Sequence, residues 1–130
     1  MSHYVEYSRR LAGLPIVEQD TLAKYAAMEN VNADAMSEVL TNFDRNEYYI
    51  KAACGSTIGS FFLTAMLDAH HGQIAVLTAH WIADPYRNNH KIHKLILWYV
   101  KQFCKTLGLR KYQRTVNLSS SRQLLITKEV

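Results

Sequence analysis

Ala83-Asp84-Pro85-Tyr86-Arg87-Asn88-Asn89-His90-Lys91-Ile92-His93-Lys94-Leu95-Ile96 is where the chain changes period, and the fold turns on how that change is read. Before it, Gln73 to Ile82 carries Ala75, Leu77, Ala79 and Trp81 on one side and Ile74, Val76, Thr78, His80 and Ile82 on the other. Both sides are largely apolar, the pattern of a strand buried on two faces. Asp84-Pro85 then breaks the strand, because proline has no amide proton for a ladder. From Asn89 to Leu107 the period becomes helical. Ile92, Leu95, Ile96, Tyr99, Phe103 and Leu107 form a stripe, Lys91, Lys94, Lys101 and Lys105 point away from it, and Gly108 stops it. Arg110 to Leu118 reads as another strand. A strand, a long helix and a second strand make a crossover unit whose two strands lie parallel.

Upstream, Glu47 to Ala53 and Ile58 to Leu67 are rich in aromatic and β-branched residues. The connectors Cys54-Gly55-Ser56-Thr57 and Asp68-Ala69-His70-His71-Gly72 are short, so these strands and the next predict an antiparallel meander. Glu18 to Met28 predicts a one-sided helix through Leu22, Tyr25 and Ala26. Asn32 or Asp34 can cap a second, with Ala35, Met36, Val39, Leu40 and Phe43 on one face. Tyr4 to Arg10 predicts a first strand, ended by Gly13 and Pro15. The tail, Ser119 to Val130, has room for one helical turn or a final strand. The expectation is a single α/β domain over residues 1–130, of the mixed-sheet α+β kind, with strands near 48–53, 58–67, 73–82 and 110–117.

Composition agrees with one globular domain: 130 residues, 48% hydrophobic and 20% charged, which excludes a disordered chain. The N-terminus has no basic segment followed by an apolar one, and the longest apolar run, near Leu95 to Val100, is too short to cross a bilayer. The expectation is a cytoplasmic protein with no membrane partner, keeping Cys54 and Cys104 as free, small packing residues. The net charge is +4, and Arg87 to Arg114 contains no Asp or Glu. Such a segment suits phosphate, or is a solvated helix face; both readings stand. Tyr48-Tyr49 and Phe61-Phe62 read as sheet core, and no RNA-binding signature accompanies them, so no motif supports a nucleic-acid partner. His90 and His93, and the pair His70-His71, lack the convergent ligands a metal needs. Ser119-Ser120-Ser121 reads as a turn or helix cap rather than a nucleophile.

The element order and the segment from Ala83 to Ile96 resemble the core of the GNAT acyltransferase family. Its cofactor motif is a strand ending in a Val-x-Pro-like step, then Arg/Gln-x-x-Gly-x-Gly/Ala, then a long helix. Pro85, Arg87 and Leu95-Ile96 match, whereas the two glycine positions hold His90 and Ile92. Val116-Asn117-Leu118-Ser119-Ser120-Ser121 resembles the family's second motif, and the likeness spans roughly residues 3 to 125.

The resemblance implies acetyl-CoA as cofactor, with Ile82, Arg87, Asn88, Asn89, His90, Lys91, Ile92 and Asn117 as its contacts. It puts the pyrophosphate on backbone amides at a helix N-terminus. Bulky side chains at both glycine positions predict weak or absent affinity, unless Arg87, Lys91 and Lys94 grip the phosphates instead. For catalysis the family often uses a Glu from the preceding strand and a Tyr after the second motif. Here the strand offers Gln73, His80 and Asp84, and the tail has no Tyr. His80 and Asn117 are the candidate catalytic residues, with a hydrogen-bonded core role as the other reading of His80. The family also continues with a helix and two strands for which this chain has no room. That predicts an exposed sheet edge, with Leu124, Leu125, Ile126 and Val130 burying against a second copy or another protein. Two functional readings follow. One is a degenerate GNAT-like protein with a binding or assembly role, similar to small GNAT-like virion proteins of tailed phages through Asn117-x-Ser119-x-x-Arg122-x-Leu124. The other is a working acetyl-CoA-dependent N-acetyltransferase.

Overall fold

The computed structural model describes residues 3–117 and 122–130. Six strands and three helices follow the expected order: β1 (Tyr4–Arg10), α1 (Gln19–Glu29), α2 (Ala33–Thr41), β2 (Arg45–Lys51), β3 (Thr57–Asp68), β4 (Gly72–Ile82), α3 (His90–Leu107), β5 (Lys111–Asn117) and β6 (Gln123–Glu129). A short 3-10 turn, Asp84–Tyr86, occupies the break that Pro85 enforces.

The sheet order is the chain order, β1-β2-β3-β4-β5-β6. Every neighbouring pair is antiparallel except β4 and β5, which run parallel as the crossover requires. Asn32 and Asn89 cap α2 and α3 through their side-chain oxygens, and Gly108 closes α3 at a φ of 69° that suits glycine.

Aromatic pairs divide between the two sheet faces. Tyr48 and Phe61 pack with Ile50, Leu63, Ala75 and Leu77 against Ile92, Ile96, Val100 and Cys104 of α3. Tyr49 and Phe62 pack with Ala79 and Trp81 against Leu22, Tyr25 and Leu40 of α1 and α2. Two expectations about packing need correction. The α3 stripe is centred on Ile92, Ile96, Val100 and Cys104, while Leu107 is exposed because the last turn projects past the core. Cys104 is buried, but Cys54 lies exposed in the β2–β3 turn and packs nothing.

The alternation read along β4 also fails midway. Ser60 of β3 faces Trp81, yet Phe62 faces Thr78, so Phe61 opposes both Ala79 and His80. This is a β-bulge. Ala79 takes a φ of 48°, unusual for a residue with a Cβ, and the buried Ser60 hydroxyl holds it by donating to the Ala79 carbonyl at 2.8 Å. One extra residue flips the side chains beyond it. Leu77 therefore packs with α3, but Ala79 and Trp81 pack with α1 and α2, and Ile82 returns to the α3 side.

The tail forms β6, paired with β5 from Lys111↔Glu129 to Asn117↔Gln123. No helix follows β5 among the described residues. β6 ends the sheet with no outer neighbour among the described residues, and Leu124, Leu125 and Val130 remain exposed. Ser119, Ser120 and Ser121 lie outside the described residues.

Candidate functional site

The parallel pair is short. β4 and β5 meet at Ala75↔Tyr112, Val76↔Gln113 and Leu77↔Arg114, and pairing ends there although β4 runs on to Ile82 and β5 to Asn117. The strands part at their carboxyl ends, where open α/β sheets hold ligands. A cleft of about 600 Å³ fills the gap, lined by residues 77–82 of β4 and Arg114, Thr115 and Val116 of β5. It continues to Arg87, Asn88 and His93 on one side, and to Tyr25, Met28, Glu29, Val31 and Met36 on the other. The β4 bulge sits inside this lining. Two buried polar atoms of its wall, Thr78 Oγ1 and Trp81 Nε1, have no hydrogen-bond partner among the described residues.

His80 is held on the α3 side of the cleft by the bulge. Burial, and then the neighbouring His93 and Arg114, push its imidazole down to about 4. It is neutral at physiological pH. His93, from the first turn of α3, bonds through Nε2 to the Arg87 carbonyl at 2.6 Å. A carbonyl only accepts, so the proton is on Nε2. That contact ties the loop to the helix, and the Arg87–Asp84 ion pair at 3.3 Å spans the turn within the loop itself.

At the start of α3, the Asn89 side-chain oxygen accepts from the amides of Lys91 at 3.0 Å and Ile92 at 3.3 Å. The Ile92 side chain is 1% exposed and lies in the α3 core. The expectation that it obstructs a phosphate is corrected: it points to the sheet because the 3.6-residue period puts position 92 in line with Ile96. The competitor for those two amides is the Asn89 carboxamide. His90, Lys91 and Lys94 are exposed around the same helix end.

No family model matches the sequence, and no curated protein matches it. Solved structures do. A GNAT-family acetyltransferase from Elizabethkingia anophelis with acetyl-CoA bound is 19% identical, with 90% of this chain and 68% of that chain covered and a TM-score of 0.59. An aminoglycoside acetyltransferase from an uncultured soil metagenomic sample is 14% identical, over 92% of this chain and 82% of that one, with a TM-score of 0.64. A GNAT acetyltransferase from Staphylococcus aureus Mu50 is 14% identical, over 87% and 73%, with a TM-score of 0.59. The chain has the GNAT fold. At these identities the likeness establishes the fold and leaves the chemistry to the site itself.

On this GNAT frame, several residues singled out in the sequence meet at one cleft: His80, Ile82, Arg87 and Asn88 line it, and Asn89, His90, Lys91 and Ile92 form the adjoining helix end. Asn117 ends β5, paired with Gln123, and its side chain lies outside the described residues. The residues fit an anionic cofactor held mainly by side chains, since Asn89 already takes two of the first-turn amides. Among the described residues no cluster of three metal-binding side chains occurs, and no helix is long and apolar enough to cross a membrane.

Sequence reasoning missed Tyr25, Glu29, Met36 and Arg114 as cleft residues, because three of them come from helices read only for their packing. It also missed a buried ionic strip on β2. Arg45 donates to Glu47 Oε2 at 2.8 Å and to the carbonyls of Leu14 and Leu40, while Glu47 Oε1 accepts from the Val17 amide and from the Tyr49 hydroxyl. Lys51 continues the row, bonding Glu18 at 2.7 Å and Thr57 at 2.6 Å. The signal was present: Arg45, Glu47, Tyr49 and Lys51 alternate on one face of a strand that α1 and α2 cover.

Proposed function

We propose that the protein is an acetyl-CoA-dependent N-acetyltransferase that acts on an amine. The observation that carries this reading is the cleft through the sheet, open where β4 and β5 part, with cations at one end and a bulged strand in its middle. The similar Elizabethkingia anophelis structure holds acetyl-CoA. Acetyl transfer forms a bond from the amine nitrogen to the acetyl carbon and breaks the carbon–sulfur bond; the nitrogen loses a proton and the sulfur gains one.

Each part of the cleft has a task in that reaction. Arg87, His90, Lys91 and Lys94 favour the phosphate end of the cofactor, as side-chain donors beside a helix N-terminus. Arg114 favours negative charge developing on sulfur, being fixed beside the bulge by the β4–β5 pairing. His80 is neutral and so accepts a hydrogen bond from the amine. Its lowered basicity makes it an orienting group that passes the proton on rather than keeping it. Calorimetric titration with acetyl-CoA tests the reading, followed by free-thiol release with a panel of amines. Binding lost on changing Arg87 and Lys91 together to alanine is the expected result; no heat at millimolar cofactor removes the proposal.

The exposed edge of β6 favours a second reading, association with a second copy or a protein partner. Leu124 and Leu125 are 49% and 60% exposed on a strand with no outer neighbour among the described residues. Light scattering decides it: a larger species that reverts to monomer in Leu124→Glu/Leu125→Lys supports association, and a monomeric parent protein that captures no partner excludes it.

A further inference from the structure

The two ends of the cleft differ in charge and in polarity. The α3 and β5 end presents Arg87, His93 and Arg114. The α1 and α2 end presents Tyr25, Met28, Val31, Met36 and Trp81, with Glu29 as the one carboxylate among the described residues there. Glu29 is half-buried and makes no ion pair among the described residues. It is also the last residue of α1, whose final turn carries no basic side chain. A carboxylate at the negative pole of a helix is disfavoured unless a cation answers it. Lys24 does not, for its ammonium lies over the Trp81 ring at 5.6 Å, which shows that this ring accepts a cation from outside the cleft.

We infer that the acceptor is a small amine borne on an aromatic or branched apolar body. Its ammonium is drawn to Glu29 and its body lies among Met28, Val31, Met36 and Trp81. The inference rests on the acyl-transfer reading of the cleft and adds the class of acceptor to it. Arg87 and Arg114 repel an ammonium, so the charged amine enters from the α1 and α2 end, and its nitrogen, once it has lost its proton, reaches toward His80 and the acetyl carbon. Methionine thioethers adapt to differing apolar shapes and attract aromatic rings, which suits Met28 and Met36 to this wall. Besides Glu29, the side-chain polar groups at this end are the Tyr25 hydroxyl and Trp81 Nε1, too few to replace the water that a polyhydroxylated amine would shed from all its hydroxyls.

The test uses the full chain without acetyl-CoA. Phenethylamine, 2-phenylethanol and glucosamine are titrated in turn, followed by the methyl resonances of Met28 and Met36 and by calorimetry. Phenethylamine should shift both methyls and bind more tightly than the other two. Glu29→Gln should weaken phenethylamine about fivefold, the value of one partly screened charge pair, and leave 2-phenylethanol unchanged. Methyls that phenethylamine leaves unmoved, glucosamine bound as tightly, or a Glu29→Gln protein that binds phenethylamine as the parent does would each overturn the inference. A separate titration with acetyl-CoA, read at the amides of His80 and Arg114, keeps the two ideas apart. Amine binding without cofactor binding removes the acyl-transfer reading, and cofactor binding without amine binding removes the acceptor class.

Discussion

At the residue scale the helix end beside the cleft is a contest for two amides. The Asn89 carboxamide holds the Lys91 and Ile92 amides, and an entering phosphate must either displace it or rely on side chains. Asn89→Gly should cost only a few tenths of a kcal/mol in stability, since glycine is also tolerated at a cap. The same change should tighten acetyl-CoA by vacating both donors, read by thermal melting and calorimetry in parallel. Ile92 is a different matter. Glycine there would not open a phosphate seat but hollow the core, and even Ile92→Ala should cost about 2–5 kcal/mol in chemical denaturation.

His80 adds a pH dependence whose sign is fixed. Its folded pKa, about 4, lies below the ordinary 6.5, so protons bind the unfolded chain more readily. Its contribution is complete above pH 6.5 and is lost as pH falls toward 4. The drop from 6.5 to about 4 limits that loss to at most about 3–4 kcal/mol. His80→Asn should flatten the stability profile between pH 6.5 and 4; an unchanged profile would show that His80 titrates normally.

At the element scale, β2 is pinned to the segment ahead of α1 by charge as well as by apolar packing. Glu47 and Arg45 are both fully buried, and removing one leaves the other charged and unanswered. Glu47→Ala should therefore cost about 3–5 kcal/mol, far more than a surface pair. Denaturant midpoints of Glu47→Ala against the paired change Arg45→Met/Glu47→Leu would reveal the difference, the pair being the milder. On β3, a Cβ on Gly59 would come within 2.7 Å of the Trp81 carbonyl and 3.2 Å of Ile50. Gly59→Ala should cost about 1–3 kcal/mol, because backbone cannot give way as a side-chain tip can.

The strands and helices were legible because their periods are strong: the apolar positions of α3, the proline break and the glycine-bearing turns all agree with one another. What escaped the sequence was register. A strand apolar on both sides, such as β4, reads the same whether or not one residue bulges, so the face exchange at Ala79 left no trace. The polar row on β2 escaped for the opposite reason. Alternating charged residues ordinarily mark a solvent face, and only the covering helices make this one a buried network. Half the cleft was legible through Pro85 and Arg87; the α1 and α2 half was not, because nothing in Tyr25, Glu29 or Met36 marks them as facing a ligand.

At the scale of the whole molecule the sheet has two unequal parts. β1 to β4 form a continuous antiparallel meander, while β5 and β6 pair closely with each other and join the rest through three residue pairs. That seam closes only after the chain has travelled through α3, so its loop-closure entropy is met late, and it should be among the last contacts to form. In the native protein it should also be among the first to let go. Amides of β5 and β6 beyond Arg114 should trade hydrogen for deuterium together and earlier than those of β2 and β3, as one hinged leaf whose opening costs less than unfolding. A ligand lodged between β4 and β5 would then act as a latch, and protection of that leaf should rise with ligand concentration while the meander's stays level.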